Sequence, residues 1–291
     1  MTGAPSTPDP ATSSLSVTTI YRYPVKSCRG QSVRSALVEP WGLAGDRRWM
    51  LVDNHGVEVT ARKHPHLVLV TPSYSSDGLI LERPDADPLL VPIPDGSELV
   101  PVTIWKNPVE ASLATPEAHA WFSEVVGFSV RLVYLDDPTR RPVQPKYGRD
   151  TDRVSFADGF PLLLANEGSL DALNEWIPAD APQAPLTMNR FRPSVVVSGA
   201  PAWDEDAWRV LRIGSTVFRS VKAAGRCVLT TVDPETSKRG KEPLATLAKH
   251  RKWDDKVWFA VNLIPDTPGT VIRVGDEVEV LERVDSTEPQ R

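Results

Sequence analysis

The chain alternates short runs of apolar, β-branched and aromatic residues with turn-forming residues over most of its length. Runs of this kind, bounded by Gly, Pro, Asn and Asp, are typical of β-strands. In the first half they predict strands at 17–23, 33–38, 48–52, 67–71, 78–82, 103–105 and 130–135. The segment Asp53-Asn54-His55-Gly56 separates two runs, and Asn and Gly accept the positive φ of a tight hairpin turn.

A helix is predicted between Thr115 and Gly127. Thr115 is a suitable N-cap, and Pro116 fits the first helical turn. The carboxylate of Glu117 is favoured by the helix dipole, and Gly127 can close the C-terminus. Two further helices are predicted in the second half, at 169–176 and 243–250.

The second half otherwise shows the same strand-like pattern. Strands are predicted at 161–165, 194–198, 208–213, 217–222, 228–232, 257–263 and 277–281. There is no βαβ alternation, and neither GxGxxG nor GxxxxGK[ST] occurs, so no Rossmann or P-loop nucleotide site is expected. The pattern predicts a mostly β protein with a few helices (α+β) and a β-barrel-like core, arranged as an N-terminal and a C-terminal β unit.

Composition shifts predict the domain boundaries. Residues 1–15, rich in Pro, Ser and Thr, predict a disordered tail, and 284–291 a second tail. The two domains are predicted at 16–135 and 154–283, joined by a linker at 136–153 that is rich in Pro, Arg and Asp. The N-terminus resembles neither a signal nor a transit peptide, and no apolar run is long enough to span a bilayer, so a cytoplasmic protein without membrane contact is expected.

Charge and cysteine content narrow the function classes. The net charge of −5 gives no global basic field that would indicate nucleic-acid binding. Two cysteines in 291 residues exclude a disulfide framework and an iron–sulfur cluster held by four thiolates of this chain. The five histidines lack metal-binding spacing, and no GxSxG motif appears, so neither a zinc site nor a serine hydrolase is predicted.

Cys227 is the strongest candidate for chemistry. It lies between Gly225-Arg226 and the run Val228-Leu229-Thr230-Thr231-Val232. Glycine allows close approach of a ligand to the backbone, and an adjacent arginine favours the thiolate, the form that binds metals or attacks electrophiles. Taken alone, the segment also fits a small buried hydrophobic cysteine. Cys28 fits that second role better.

Basic residues stand at several predicted strand ends before Cys227. They occur in Lys26-Ser27, Gly45-Asp46-Arg47-Arg48 and Asn189-Arg190-Phe191-Arg192. Arginine carries a planar, permanently charged donor group suited to phosphate, and a strand end holds it rigidly. Each cluster alone also fits a solvated edge. Together they suggest a pocket for an anionic ligand, in which Asp158 of an Asp-Gly turn could orient the ligand.

These residues carry a resemblance to a known family. The matching segments, in order, are Tyr23-Pro24-Val25-Lys26-Ser27-Cys28, Gly45-Asp46-Arg47, Val59-Thr60-Ala61-Arg62, Asn189-Arg190-Phe191-Arg192-Pro193, Arg226-Cys227-Val228-Leu229-Thr230-Thr231-Val232-Asp233-Pro234, Lys241-Glu242-Pro243-Leu244 and Val274-Gly275-Asp276. From about 17 to about 281 the chain resembles MOSC-domain proteins with an N-terminal MOSC β-barrel domain, the family that contains the mitochondrial amidoxime reducing component and bacterial relatives.

The resemblance implies a molybdenum–molybdopterin cofactor and no pyridoxal phosphate. In the family, a cysteine at the position of Cys227 ligates the molybdenum, so Cys227 is the expected catalytic and metal-binding residue. The expected cofactor-binding residues are Lys26, Ser27, Arg47, Asp158, Gly159, Phe160, Arg192, Ser194, Gly225 and Arg226. Gly159, Phe160, Ser194 and Gly225 depart from the eukaryotic pattern, and backbone N–H groups would replace the side-chain donors lost there.

The implied activity is the reduction of small N-hydroxylated compounds, such as amidoximes, hydroxylamines and N-hydroxylated bases. Because no second redox centre is expected in the chain, an external electron donor is implied: a ferredoxin, a cytochrome b5-like protein or a flavoprotein reductase. One alternative is a sulfur carrier that holds a persulfide on Cys227, which needs the same thiolate. A cofactor-storage or structural protein without turnover is a third interpretation.

Overall fold

The computed structural model describes residues 14–182 and 184–285. The predicted terminal tails lie almost entirely outside these ranges. In chain order the strands are β1 (Ser16–Arg22), β2 (Gln31–Val33), β3 (Ser35–Glu39), β4 (Gly42–Leu43), β5 (Trp49–Val52), β6 (Glu58–Val59), β7 (Thr71–Ser75), β8 (Gly78–Arg83), β9 (Ala86–Val91), β10 (Leu99–Ile104), β11 (Asn107–Leu113), β12 (Arg131–Tyr134), β13 (Leu162–Asn166), β14 (Val195–Ser198), β15 (Trp208–Ile213), β16 (Thr216–Gly225), β17 (Lys252–Trp253), β18 (Lys256–Pro265), β19 (Val271–Arg273) and β20 (Val278–Arg283).

Helices are few and short. The α-helices are α1 (Pro116–Val126), α2 (Glu167–Trp176) and α3 (Leu244–His250), and 3-10 helices cover Pro65–Leu69, Pro138–Arg140, Met188–Phe191, Asp204–Ala207 and Val228–Thr231. This architecture confirms the predicted fold class, mostly β with a few helices. No helix in the described ranges combines the length and the apolar composition needed to cross a membrane.

The largest sheet joins β1 and β2 to strands of the second half of the chain. Eight of its nine strands follow the order β2-β1-β14-β13-β18-β16-β15-β20, and β17 pairs with β18. Strand β1 runs antiparallel to β14, where Ile20 lies opposite Val195. The residues that follow β1 therefore lie beside loops of the second half.

Within this sheet, β13, α2 and β14 form one β-α-β unit, because β13 and β14 run parallel. The prediction of no βαβ alternation is wrong at this point. A long connection from residue 177 to residue 194 separates α2 from β14. Connections in such units are usually short. Because this one is long, the sequence pattern does not reveal that β13 and β14 pair.

The remaining strands form a five-stranded sheet in the order β10-β11-β12-β5-β6 and two three-stranded sheets, β19-β3-β4 and β7-β8-β9. Buried apolar residues fill each region. Trp49 and Phe122 of α1 lie in the core of the first half, and Trp208 and Phe218 lie in that of the large sheet. The connecting loops between these cores are thereby held in place.

Helix α1 has the ends that its sequence predicts. The Thr115 hydroxyl accepts a hydrogen bond from Ala118 N, and Gly127 closes the helix in the left-handed conformation at φ 80°. Thr115 gives a partner to a backbone N–H group of the first turn, and Gly127 gives the chain the geometry with which it leaves the last turn.

Two predicted strands are wrong. The run 67–71 falls largely in the 3-10 helix Pro65–Leu69, and 228–232 falls in Val228–Thr231. A short buried apolar run does not distinguish a strand from a helical turn. In the second case, Thr230 Oγ1 donates to the Cys227 carbonyl at 2.9 Å and Thr231 Oγ1 to that of Val228 at 2.8 Å. These bonds close a turn in place of a strand ladder.

Candidate functional site

A cavity of about 730 Å³ opens where loops from both halves of the chain meet. Its walls include every residue that the sequence singles out for the site: Lys26, Ser27, Arg47, Asp158, Gly159, Phe160, Arg192, Ser194, Gly225, Arg226 and Cys227. Backbone hydrogen bonds tie these loops together. Arg47 N donates to Tyr23 O at 2.7 Å, and Phe156 N donates to Arg47 O at 2.9 Å.

Cys227 presents an exposed thiol at the wall of this cavity. Strand β16 ends at Gly225, and Cys227 then caps the 3-10 helix Val228–Thr231. Arg226 N donates to Val257 O at 2.8 Å, which fixes the backbone just before the cysteine. The thiol is therefore accessible while its backbone is held.

Cys28 has the opposite environment. It is fully buried in the core of the first half, and burial raises the pKa of its thiol to about 12. It therefore stays protonated near neutral pH, and only Cys227 is placed for metal ligation or nucleophilic attack.

Arg226 reaches back from the cysteine into the cavity wall. Its Nη2 donates to Phe191 O at 2.7 Å, whereas its Nε is buried and has no partner in the structure. Burial lowers the pKa of Arg226, and the charge of the Cys227 thiolate opposes this effect. A buried donor without an acceptor is costly, so it marks a position where a ligand could accept a hydrogen bond.

Arg47 and Arg192 share one aromatic partner, Tyr23. The centre of each guanidinium lies 4.3 Å from the centroid of the Tyr23 ring. Within the described ranges, Arg47 pairs with the Asp46 carboxylate at 2.5 Å, whereas no group accepts a hydrogen bond from the Arg192 guanidinium. Burial lowers the pKa of Arg192, and the charge of Arg47 adds to that effect.

Several residues of the site adopt strained backbone conformations. Ser27, Arg47 and Arg192 have positive φ values of 73°, 47° and 58°. This left-handed region is unfavourable for residues other than glycine, and such strain concentrates at functional sites because it aims side chains that ordinary geometry would not.

Lys26 lies on the floor of the cavity and is almost completely buried. Its ammonium donates to Phe156 O at 2.9 Å and to Asp158 Oδ1 at 2.5 Å, and lies 3.4 Å from Glu58 Oε2. Burial alone would raise the pKa of Asp158, but the charges of Lys26 and Arg62 outweigh it and lower that pKa. Asp158 is therefore ionised at neutral pH.

The cavity is strongly basic although the chain as a whole is acidic. The cationic side chains on its walls are Lys26, Arg47, Arg62, Lys106, Arg190, Arg192, Lys222, Arg226 and Lys256, whereas Asp158 supplies the acidic one in the described lining. A concave surface with a strong excess of positive charge concentrates anions. The cavity thus fits an anionic ligand.

Four residues on the walls, Gly159, Phe160, Ser194 and Gly225, are those expected to depart from the eukaryotic pattern of the resembling family. Added Cβ atoms at Gly159 and Gly225 meet no clash: the first has open space, and the second lies 3.6 Å from the Trp258 ring. Phe160 packs edge-on against Tyr147, and Ser194 is buried, with its hydroxyl accepting a bond from Leu163 N at 3.3 Å.

Not every basic residue near the site is available to a ligand. Arg190 lines the cavity, but its guanidinium donates to Thr230 O, Val232 O and the Asp233 carboxylate. Arg48 is buried and donates to Leu135 O at 2.9 Å. Both side chains tie loops together.

The sequence did not single out several other lining residues. Trp105 and Tyr147 sit on the walls, together with the lysines 106, 222 and 256. The sequence gives little indication of their role, because single tryptophans and lysines are common in loops. Only the spatial clustering distinguishes them.

The structure therefore offers a set of groups that fits a molybdenum–molybdopterin cofactor. An accessible thiolate suits a sulfur-rich metal sphere. The Arg226 Nε and the Arg192 guanidinium have no acceptor among the described residues, and both can donate to a phosphate or to pterin oxygen and nitrogen atoms.

Comparison with known proteins agrees with this picture. The model of the MOSC N-terminal beta barrel domain matches residues 14–129, and that of the MOSC domain matches residues 151–279. The mitochondrial amidoxime-reducing component 1 of Xenopus laevis is 33% identical over 88% of this chain and 79% of its own length. The human mitochondrial amidoxime reducing component 2 is 35% identical over 82% and 73%. The resemblance seen in the sequence motifs is confirmed, and the chain belongs to the family of MOSC-domain amidoxime-reducing components.

Proposed function

We propose that this protein is a molybdenum-cofactor-dependent reductase of small N-hydroxylated compounds, supplied with electrons by a separate redox protein. The observation that carries the proposal is the meeting of one accessible thiol, Cys227, with unpaired arginine donors in a single basic cavity. The names of the relatives, which describe amidoxime reduction, support the same activity.

Different residues bind different parts of the cofactor. Cys227 is the metal ligand, and Arg226 beside it stabilises the thiolate charge. Arg47 and Arg192 anchor the phosphate of molybdopterin, and Ser27 and the backbone near Gly159, Phe160, Ser194 and Gly225 contact the pterin. Lys26 already has oxygen partners in the protein, and it acts mainly by keeping Asp158 in place.

The net reaction adds two electrons and two protons to the N–OH group, which breaks the N–O bond and releases the oxygen as water. When bound, the molybdenum cofactor supplies the two-electron transfer. Asp158 is ionised, so it accepts a hydrogen bond from the N–H or O–H of the substrate and orients it. The basic walls disfavour cationic ligands.

The electrons come from outside the chain in this proposal. The two cysteines cannot hold a second metal cluster, because Cys28 is buried in the core. A ferredoxin, a cytochrome b5-like protein or a flavoprotein reductase would reduce the cofactor again after each turnover. The relatives are named as components, which is compatible with a multi-protein system.

The sulfur-carrier alternative finds no support. A persulfide on Cys227 needs an accessible thiol, but it does not need the phosphate-binding arginines. None of the relatives described above is named as a sulfur carrier.

The test is a reduction assay with the purified, molybdenum-loaded protein. With a dye such as reduced methyl viologen as donor, we expect benzamidoxime to give benzamidine at a rate proportional to the molybdenum content. Protein from molybdate-starved cells is the matched control. NADH alone should give no product, and adding a suitable ferredoxin or flavoprotein reductase should restore turnover. Fully metallated protein that stays inactive with strong donors, across a panel of N-hydroxylated substrates, would refute the proposal.

A further inference from the structure

Trp105 differs from the other tryptophans of the chain. All nine lie in the described ranges, and Trp105 is the exposed one, with 54% of its surface accessible. It lines the same cavity as Cys227. Exposing a large apolar ring to water is unfavourable, and a ligand that covers the ring would recover that free energy.

The backbone at Trp105 is also unfavourable. Strands β10 and β11 form a hairpin in which Ile104 lies opposite Asn107, so Trp105 and Lys106 make a two-residue turn. Trp105 has φ 56°, a value that favours glycine in such turns and is rare for a bulky residue. The chain thus keeps a tryptophan where glycine would fit the turn better.

The exposed ring is held firmly. Its Nε1 donates to Asp158 Oδ1 at 3.3 Å, and the Arg62 guanidinium lies 4.5 Å from the ring centroid. The backbone N of Trp105 donates to Glu58 Oε1 at 3.1 Å. Through Asp158 and Glu58 the ring is connected to Lys26 on the cavity floor. A fixed, exposed ring next to the carboxylate that orients the substrate is a preorganised binding surface.

We propose that Trp105 determines substrate specificity: its indole stacks on the planar, conjugated part of aromatic N-hydroxylated substrates while their N–OH group points into the cavity. This inference rests on the proposed function, and it names the substrate class as aromatic amidoximes and related planar N-hydroxylated compounds. Stacking on an indole is tolerant of ring substituents, so the site accepts a range of such rings.

Two substrates that differ only in the ring provide the test, benzamidoxime and acetamidoxime, with reduced viologen as donor. In Trp105→Ala we expect the KM for benzamidoxime to rise about tenfold, which corresponds to about 1.4 kcal/mol. Acetamidoxime is affected only through the lost Nε1 bond to Asp158, so its KM should change much less than that of benzamidoxime and equally in Trp105→Ala and Trp105→Phe, and the cofactor content should match the wild type. Trp105→Phe should restore much of the benzamidoxime affinity. Phe128→Ala removes an exposed ring that does not line the cavity, and it should alter neither substrate.

A structural role for Trp105 gives different results. Trp105→Gly relieves the positive φ but also removes the contacts of the ring with Asp158 and Arg62, and the preference for the aromatic substrate should be lost whatever the change in melting temperature. Equal KM changes for both substrates would overturn the inference. An effect seen only with a protein donor, and not with viologen, would assign Trp105 to donor docking instead.

Binding measured without turnover separates this inference from the proposed function. By calorimetry, the wild type should bind benzamide more tightly than acetamide, which are neutral planar analogues of the two substrates, and Trp105→Ala should lose that preference. A protein that reduces no N-hydroxylated compound but keeps this preference would refute only the proposed function. A protein that reduces both amidoximes with unchanged KM values in Trp105→Ala would refute only the role of Trp105.

Discussion

The side chain of Arg47 donates a hydrogen bond to the backbone carbonyl of Arg192 at 3.1 Å, although 145 positions separate the two residues. Both guanidinium groups lie 4.3 Å from the centroid of the same ring, Tyr23, and the charge of Arg47 contributes to the lowered pKa of Arg192. The two like charges therefore repel each other, and an anion bound near both would offset the repulsion. The pair is thus preorganised for a phosphate.

Replacing Arg47 or Arg192 with Ala should release the cofactor without unfolding the protein. A hydrogen bond to a charged group contributes roughly 1.5–3 kcal/mol, so retention of molybdopterin after purification should fall by about tenfold or more. The cofactor content is measured by fluorescence of its oxidised pterin, and stability by thermal unfolding.

Arg48 is the matched control, because its guanidinium donates to the Leu135 and Asp136 carbonyls. Arg48→Ala should lower the melting temperature and leave the cofactor content per folded chain unchanged. Equal loss of cofactor in the Arg47 and Arg48 variants would contradict the anion pocket.

The sequence reveals local structure here better than long-range pairing. The capping residues Thr115 and Gly127 are one helix apart, and they predict α1 correctly. The motif residues predict an anionic pocket, and the structure brings them to one cavity. The pairing of β1 with β14 was not predictable, since an apolar pattern shows which face is buried but not which strand lies next to it.

The same limit applies to the residues that sequence reasoning missed. Sequence patterns do not reveal Trp105, because its hydrogen bond to Asp158, which is an expected site residue, joins positions 53 apart and forms only in the folded protein. The segment 228–232 is predicted as a strand because Val, Leu and Thr favour strands. The threonine hydroxyls bond to nearby carbonyls instead, and this local competition decides the outcome.

Gly225→Ser should strengthen cofactor retention. Gly225 has no positive φ, and an added Cβ would make ordinary contacts, the nearest at 3.6 Å from the Trp258 ring. A hydroxyl at this position supplies the donor found in the resembling family, worth about 0.5–1.5 kcal/mol, so retention should rise by about two- to tenfold. Gly225→Ala adds the Cβ without the donor and should leave retention unchanged. A loss of cofactor in both variants would show that the wall has no room there.

Glu205 makes the stability of the fold depend on pH. It is buried, and it accepts hydrogen bonds from Ser169 Oγ at 2.8 Å and Asn166 Nδ2 at 3.2 Å. Burial, with a further contribution from the Asp206 charge, raises the pKa of Glu205 from 4.5 to about 7. The folded protein therefore binds this proton more tightly than the unfolded chain does. The resulting stabilisation is complete below pH 4.5 and is lost as the pH rises through about 7.

Glu205→Gln keeps the shape and removes the titration. Relative to the wild type, its free energy of unfolding should increase by about 2–3 kcal/mol from about pH 5 to about pH 8, since each unit of pKa shift is worth about 1.4 kcal/mol. Denaturant titrations at several pH values measure this difference. Glu124→Gln, at an exposed carboxylate, should show no such trend. A constant difference between Glu205→Gln and the wild type across this range would contradict the raised pKa.

Turnover of benzamidoxime in Cys227→Ala, compared with the wild type and with Cys28→Ala, tests the central claim most directly. The assay uses reduced viologen, and molybdenum and sulfane sulfur are measured on the same samples. The account predicts equimolar molybdenum and activity in the wild type and in Cys28→Ala, and a folded but inactive Cys227→Ala. Comparable turnover in Cys227→Ala, or a wild type that carries sulfane sulfur on Cys227 and no molybdenum, would contradict it.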